Sequence, residues 1–190
     1  MKFDLRKKEG LKIHMNRFFG HLRVVTKHKW QVFKNCCRLG MPIRGILHDT
    51  SKFSPIEFFN SVKYFSDGKR SPTVGERIKK GYSAAWLHHK GRNKHHFEYW
   101  TELNWRGTDL YKCRMPLKYV KEMFCDRVAA TKTYLKDKYT QRAPLEYYWA
   151  KGDGRFMHEN TARMIEKMLL LLAIYGEKEA FALVRKIKKY

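Results

Sequence analysis

The spacing of apolar residues predicts an all-α protein, a compact single-domain helical bundle over residues 1–190, and three observations support it. Apolar residues recur at three- and four-residue intervals in nearly every periodic segment, the repeat of an amphipathic helix and not the two-residue repeat of a strand. Gly and Pro fall where helices would start or stop. No internal repeat, low-complexity tract or Ser/Gly linker divides the chain, and at this length folding hides roughly 70% of the extended chain's surface, enough for one core.

The first helix is expected over residues 16–38, stopped near Leu39-Gly40, where glycine can take a left-handed cap. Pro42 opens a short helix that carries Ile43, Ile46 and Leu47 into His48-Asp49 and ends at Thr50-Ser51. Ser54 as N-cap and Pro55 at the first helical position start another, with Ile56, Phe58 and Phe59 as its apolar side. Residues 66–75 concentrate Ser, Asp, Gly and Pro and read as a loop. A helix is expected over 76–89, broken by Lys90-Gly91-Arg92-Asn93, and another from about His95 through the Phe97-Glu98-Tyr99-Trp100 run. Met115-Pro116 opens a long helix to about Lys136 whose core stripe is Leu117, Val120, Phe124 and Val128. After a loop containing Pro144, Gly152 and Gly154, two closing helices are expected over 159–175 and 178–188, separated by Gly176. The candidate site falls within about 16–136.

Lys and Arg number 41 against 18 Asp and Glu, a net charge of +23 with histidines neutral. A surface of that sign attracts polyanions, which leaves nucleic acid or a phosphorylated partner open beside the plainer reading that the charge serves solubility. The basic residues are spread along the chain, with short clusters at Arg6-Lys7-Lys8, Lys79-Lys80 and 186–189. The longest apolar run is Met168 to Ile174, against the roughly 20 residues a bilayer span needs, so no membrane helix is expected. MKFDLRKKEGLK at the N-terminus has charges but no apolar stretch and no small-residue cleavage site. Cys36, Cys37, Cys113 and Cys125 form no C-x-x-C pair, which favours a reducing, cytoplasmic setting.

Eight of the nine histidines lie between His14 and His96, and their grouping points to a divalent-metal site. His14, His21 and His28 recur every seven residues and share one helix face, but two turns span roughly 10 Å, too far for all three to ligate one ion. His28 is preferred and His21 is its alternate. His48-Asp49 pairs a nitrogen ligand with a carboxylate whose two oxygens can bridge two ions. The segment Trp86 to Trp100 holds two histidine pairs around a tight basic loop. Packing alone would demand a hydrogen-bonding partner for every buried imidazole nitrogen. Neighbours on a helix diverge by about 100°, so one histidine of each pair is expected inside: His89 and His95, with His88 and His96 as alternates. Asp126 sits beside the core stripe of the Pro116 helix, one turn after Glu122. A carboxylate among apolar neighbours needs a cation to stay ionised, either a metal or one of the many basic side chains.

Taken in order, His28, His48-Asp49, the histidine pairs and Asp126 resemble the H...HD...D pattern of the HD-domain superfamily of metal-dependent phosphohydrolases. The intervening histidines resemble its dinuclear branches. HDTSKFSPIEF and AWLHHKGRNKHHFEYW also resemble motifs of an uncharacterised family of small bacterial and phage proteins associated with that superfamily, over roughly residues 19–130. From His28 to His48 the gap is 20 residues and from His21 it is 27, so either fits as first ligand.

The resemblance implies an HD-like helical fold and one or two divalent ions (manganese, iron, cobalt, magnesium or zinc) that activate a water for attack on a phosphoester of a nucleotide or small phosphorylated molecule. It implies His28, His48, Asp49 and Asp126 around one ion and His89 and His95, with a bridging Asp49, around the other. Lys52 and Arg92 are the cations expected to neutralise phosphate oxygens, and Glu57 is expected to orient a ligating histidine or accept a proton. Two further readings stay open at this point: a di-iron oxygenase of the same superfamily, and a basic nucleic-acid-binding protein with a structural metal.

Overall fold

The computed structural model describes the backbone of residues 2–190 and side chains from Lys12 onward. It is all-α apart from one small hairpin, as the apolar spacing predicts. Helix α1 (Lys2–Arg38) is longer at its start than the expected 16–38. It stops where expected: Gly40 takes φ +75°, Met41 N–H donates to Cys36 O and Gly40 N–H to Cys37 O, each at 2.9 Å, the paired closure of a left-handed glycine cap. Pro42 opens α2 (Pro42–Leu47), which lies against α1 so closely that a Cβ on Gly45 would come 2.9 Å from both Phe33 Cα and Cys36 Cβ.

A 3-10 turn (Thr50–Phe53) leads to α3 (Pro55–Tyr64), capped by Ser54, whose hydroxyl accepts from Glu57 N at 3.4 Å. The loop is shorter than expected because Pro72 begins α4 (Pro72–Lys80). The helix expected over 76–89 is in fact two. Gly81 takes φ +80° and ends α4, and Ser83 caps α5 (Ala84–Lys90) by accepting from Trp86 N. Glu76 joins them: its buried carboxylate accepts from Ser83 Oγ at 2.7 Å and Asn60 Nδ2 at 2.8 Å, fixing the start of α5 against α3.

The helix expected from His95 is only a 3-10 turn (Phe97–Trp100), which runs into a hairpin, β1 (Thr101–Leu103) against β2 (Leu110–Lys112), antiparallel with Leu103 opposite Leu110. Helix α6 (Leu117–Leu135) follows, with Val120, Phe124 and Val128 fully buried and Leu117 partly so. The segment expected as loop around Pro144 forms α7 (Ala143–Lys151), which that proline starts. Helix α8 (Glu159–Lys186) is interrupted at Gly176 (φ 74°, ψ 172°), so the two closing helices are distinct, as expected.

The core joins Val32 and Cys36 of α1, the buried stripe of α6, and Ile165, Met168, Leu169 and Leu172 of α8, with Leu145 and Tyr148 of α7 closing one side. Among the described residues no helix is long and apolar enough to cross a membrane.

Because α2 delivers His48 and Asp49, its seating on α1 should matter beyond its length. Gly45→Ala must push α2 off α1, a strain of about 1–3 kcal/mol, lowering the thermal midpoint by roughly 2–10 °C. Thermal unfolding followed by circular dichroism checks this, and an unchanged midpoint would show that the α1–α2 contact is not tight.

Candidate metal centre

Asp49 is the junction of the site. An uninterrupted helix would send adjacent side chains about 100° apart. Here the chain leaves α2 at His48 in an extended conformation (ψ 129°) and turns left-handed at Asp49 (φ 50°, ψ 31°), so both side chains converge. Asp tolerates this region better than most residues, and a side chain held there marks a position where function and backbone are coupled. His48 Nε2 lies 3.3 Å from Asp49 Oδ2.

Two further elements add ligating atoms beside His48. His28, from α1, brings Nε2 to 3.0 Å from Asp126 Oδ1, and Asp126, from α6, lies 3.6 Å from His48 Nε2. Around Oδ1 stand His89 Nε2 at 3.3 Å, from α5, and His95 Nε2 at 3.4 Å, from the following turn. His96 completes that side, its Nε2 2.9 Å from His89 Nε2. Two four-residue donor sets result, His28, His48, Asp49 and Asp126, and Asp49, His89, His95 and His96, each with ligand atoms within 4.8 Å of one another.

The rings are aimed by carboxylates behind them. Glu122 Oε1 lies 3.0 Å from His48 Nδ1 and 3.4 Å from His95 Nδ1, and Arg44 holds its other oxygen at 2.8 Å. Glu57 Oε2 lies 2.8 Å from His89 Nδ1 while its Oε1 takes His88 Nδ1 at 2.6 Å. A carboxylate on Nδ1 fixes the tautomer that leaves the Nε2 lone pair free toward the cluster centre, the usual outer support of a metal-ligating histidine.

Electrostatics agree with that division. Burial raises the Asp49 and Asp126 carboxyls, but the neighbouring imidazoles, and Lys52 at Asp49, overcome it and hold both well below the usual range. Burial likewise opposes Glu122, yet His48, His95 and Arg44 bring it down to about 2. His28 is pushed down by burial and Lys52, and His96 well down by burial and the adjacent His95 and His89, so both present neutral nitrogens. His48 is driven up against burial by Asp49, Asp126 and Glu122, so a cation binding there displaces a proton.

The donor set fits a divalent ion. Five buried polar atoms at the centre make no hydrogen bond: Nε2 of His28, His48 and His95, and both Asp49 oxygens. Buried polar atoms ordinarily have partners. Their neighbours are other ligating atoms of the cluster, including Asp126 Oδ1 3.0 Å from His28 Nε2 and His89 Nε2 3.3 Å from Asp49 Oδ1, and Asp49 Oδ2 has Lys52 Nζ at 2.7 Å as an ion pair. Imidazole and carboxylate donors converging in this way are satisfied together by a bound cation.

The other sequence candidates lie as follows. His21 is not in either set; it packs on Phe58 and Phe65 with ring centroids at 5.2 and 5.9 Å. His88 faces Glu57, as divergence along α5 requires. His95 and His96 both reach the cluster, because they lie in a turn where the helical divergence behind the one-per-pair expectation does not apply. Arg92 is exposed and donates to His88 O at 3.3 Å, away from the ligands. Glu57 is brought to the histidines, and Lys52 to Asp49. Glu122 was legible only as the residue four before Asp126, which puts both on one face of α6; nothing local showed that His48 and His95 would meet it.

Fold and site together define the class: an all-helical protein with a buried His/Asp/Glu cluster that could hold a metal ion. The chain belongs to the Family of unknown function (DUF5662), which matches residues 17–171 and therefore every residue of the cluster. No curated protein and no solved structure matches the chain.

Two outcomes follow. His96→Ala should remove one equivalent of tightly bound manganese or iron, measured by elemental analysis after dialysis, whereas His88→Ala should keep the wild-type ratio and Glu122→Gln should weaken binding about 10- to 100-fold. His21, buried and lowered to about 4 by burial and Lys52, stays neutral when folded but takes a proton when unfolded. Its linkage therefore leaves stability intact above about pH 6.5 and erodes it as pH falls toward 4. Urea titrations of the metal-free protein should show His21→Phe gaining on wild type across that window; a pH-independent difference would contradict the assignment.

Proposed function

We propose that the chain is a divalent-metal-dependent phosphohydrolase that cleaves a phosphoester of a nucleotide or small phosphorylated molecule with an activated water. The observation that supports it most is the sharing of Asp49, which belongs to both four-residue donor sets, with its Oδ2 beside His48 and its Oδ1 beside His89 and His95. Two ions bound there would supply Lewis acidity to phosphoryl oxygens and make a water nucleophilic near neutral pH.

The protein's own groups fill the remaining roles. Asp49, held ionised, offers one oxygen to each set. Glu122 and Glu57 keep the Nε2 lone pairs of His48, His95 and His89 aimed inward. Lys52 is pushed up by Asp49 and Asp126 despite burial and stays an ammonium. With its side chain 31% exposed, it stands at the solvent edge beside Asp126, placed to neutralise a non-bridging phosphate oxygen. Arg92 has no part in this reading, and Glu57 acts through His89 instead of as a proton acceptor. The likeness of His28, His48-Asp49 and Asp126 to the HD-domain pattern favours hydrolysis.

A second reading has its own support: the Oδ1 side offers three imidazoles and one carboxylate, a set that suits iron, as an oxygen-activating enzyme would need. Metal identity separates the two. Protein reconstituted with manganese, cobalt or iron should hydrolyse members of a phosphomonoester and nucleotide panel. Asp49→Asn should abolish turnover with the helical spectrum retained, and Lys52→Ala should lower kcat/KM about 100-fold. Oxygen consumption by the iron form with no hydrolysis under any metal would reverse the choice.

A further inference from the structure

We propose that the hairpin of residues 101–112 and the cleft at its base form a binding surface for single-stranded nucleic acid, separate from the metal centre and independent of its reading. Trp105, at the hairpin tip, is 87% exposed, the most exposed large apolar side chain among the described residues. Its platform is built. Asn104 N–H donates to Asp109 O and Gly107 N–H to Asn104 O, each at 2.8 Å, Thr108 N–H donates to Asn104 Oδ1 at 3.0 Å, and Gly107 takes the left-handed φ of +70° that the turn requires. An indole on a fixed turn loses little freedom when a flat partner stacks on it.

Cations accompany the aromatic. The Arg106 guanidinium lies 4.7 Å from the Trp105 ring centroid, and Tyr111 on β2 is 62% exposed. At the hairpin base, Lys112 Nζ donates to Arg155 O at 2.6 Å and borders a cleft of about 520 Å³ that Arg155, His158 and Arg163 also line. The two acids of that cleft are engaged, Glu159 with Arg163 and Glu166 with Trp149 Nε1. Among the described residues neither Lys112 nor Arg155 has a carboxylate partner, so the cleft presents net positive charge on a molecule carrying +23.

A cationic cleft leading to an exposed, rigid aromatic is the combination that holds single strands: the cleft follows phosphates and the ring stacks on a base. A duplex keeps its base faces covered, so an indole on a short tip has nothing to stack on. An acidic membrane would satisfy the charge but not the planar stack.

The test is anisotropy titration of the full chain, chelator-treated, with a labelled oligothymidylate. Trp105→Ala should weaken binding about tenfold, with Trp105→Tyr restoring most of it and the salt dependence unchanged in both. Arg155→Ala should weaken binding and flatten the slope of log K against log salt by about one charge. The Lys27→Ala/Lys34→Ala double variant, which removes two exposed charges from α1, and Asp49→Asn should each change affinity less than threefold. The proposal is overturned by absence of binding, by preference for duplex, by equal losses at 105 and at 27/34, or by binding to phosphatidylserine vesicles without binding to the oligonucleotide. Circular dichroism establishes that each variant is folded.

Discussion

The structure depends on an interior cluster of negative charge centred on Asp49. Asp49, Glu57 and Glu122 are all nearly inaccessible, and Asp126 is partly buried. A buried carboxylate without compensation is expensive, and it would ordinarily take up a proton. Here the opposite occurs, since all four are pushed toward ionisation by the imidazoles, Lys52 and Arg44 around them. Such a set is a poor way to gain stability, because desolvation offsets most of the attraction between partners. It is a good way to prepare a cation site, and the unsatisfied nitrogens and oxygens at its centre are where the compensation is incomplete.

The helices follow from that requirement. Ligands come from α1, the α2 exit, α5, the turn after it and α6, so no single element can hold the geometry. Each is fixed by a local device: Gly45 lets α2 touch α1, Glu76 ties the start of α5 to α3, and Glu122 reaches from α6 to rings on two other segments. Side chains positioned by rigid neighbours and outer hydrogen bonds keep their geometry better than ligands on free loops.

Sequence periodicity was enough for the helices with strong apolar stripes, α1, α6 and the two parts of α8, and for the breaks at Gly40 and Gly176. It failed where a break depended on tertiary partners. Glu76 and Ser83 look like surface residues of one helix until the carboxylate is seen buried against Ser83 and Asn60. Similarly, His48, Asp49 and Asp126 were readable as chemistry because a nitrogen–carboxylate pair and a carboxylate beside an apolar stripe are locally anomalous. The choice between His95 and His96 was not readable, since it rested on assuming helical divergence in a segment that forms a turn. Glu122 was hidden for a related reason: its partners lie 74 and 27 residues away, and only the packed fold brings them together.

The distribution of exposure around the cluster bears on what can reach it. His48, Asp49, His89 and His95 side chains are at most 4% exposed, whereas Asp126 is 16% and Lys52 31% exposed. Lys52 and Asp126 therefore form one exposed edge of the site, where an arriving ligand meets an ammonium first, and the partly buried His96 forms an edge of the other donor set. On a molecule of this net charge the outer field already draws anions inward. Lys52 carries that attraction to the edge of a cluster whose four carboxylates face the cations Lys52 and Arg44 and two imidazoles, His48 and His89, that are driven toward the protonated form. A cation entering the cluster has to displace protons from the imidazoles it meets, so its binding tightens as pH rises.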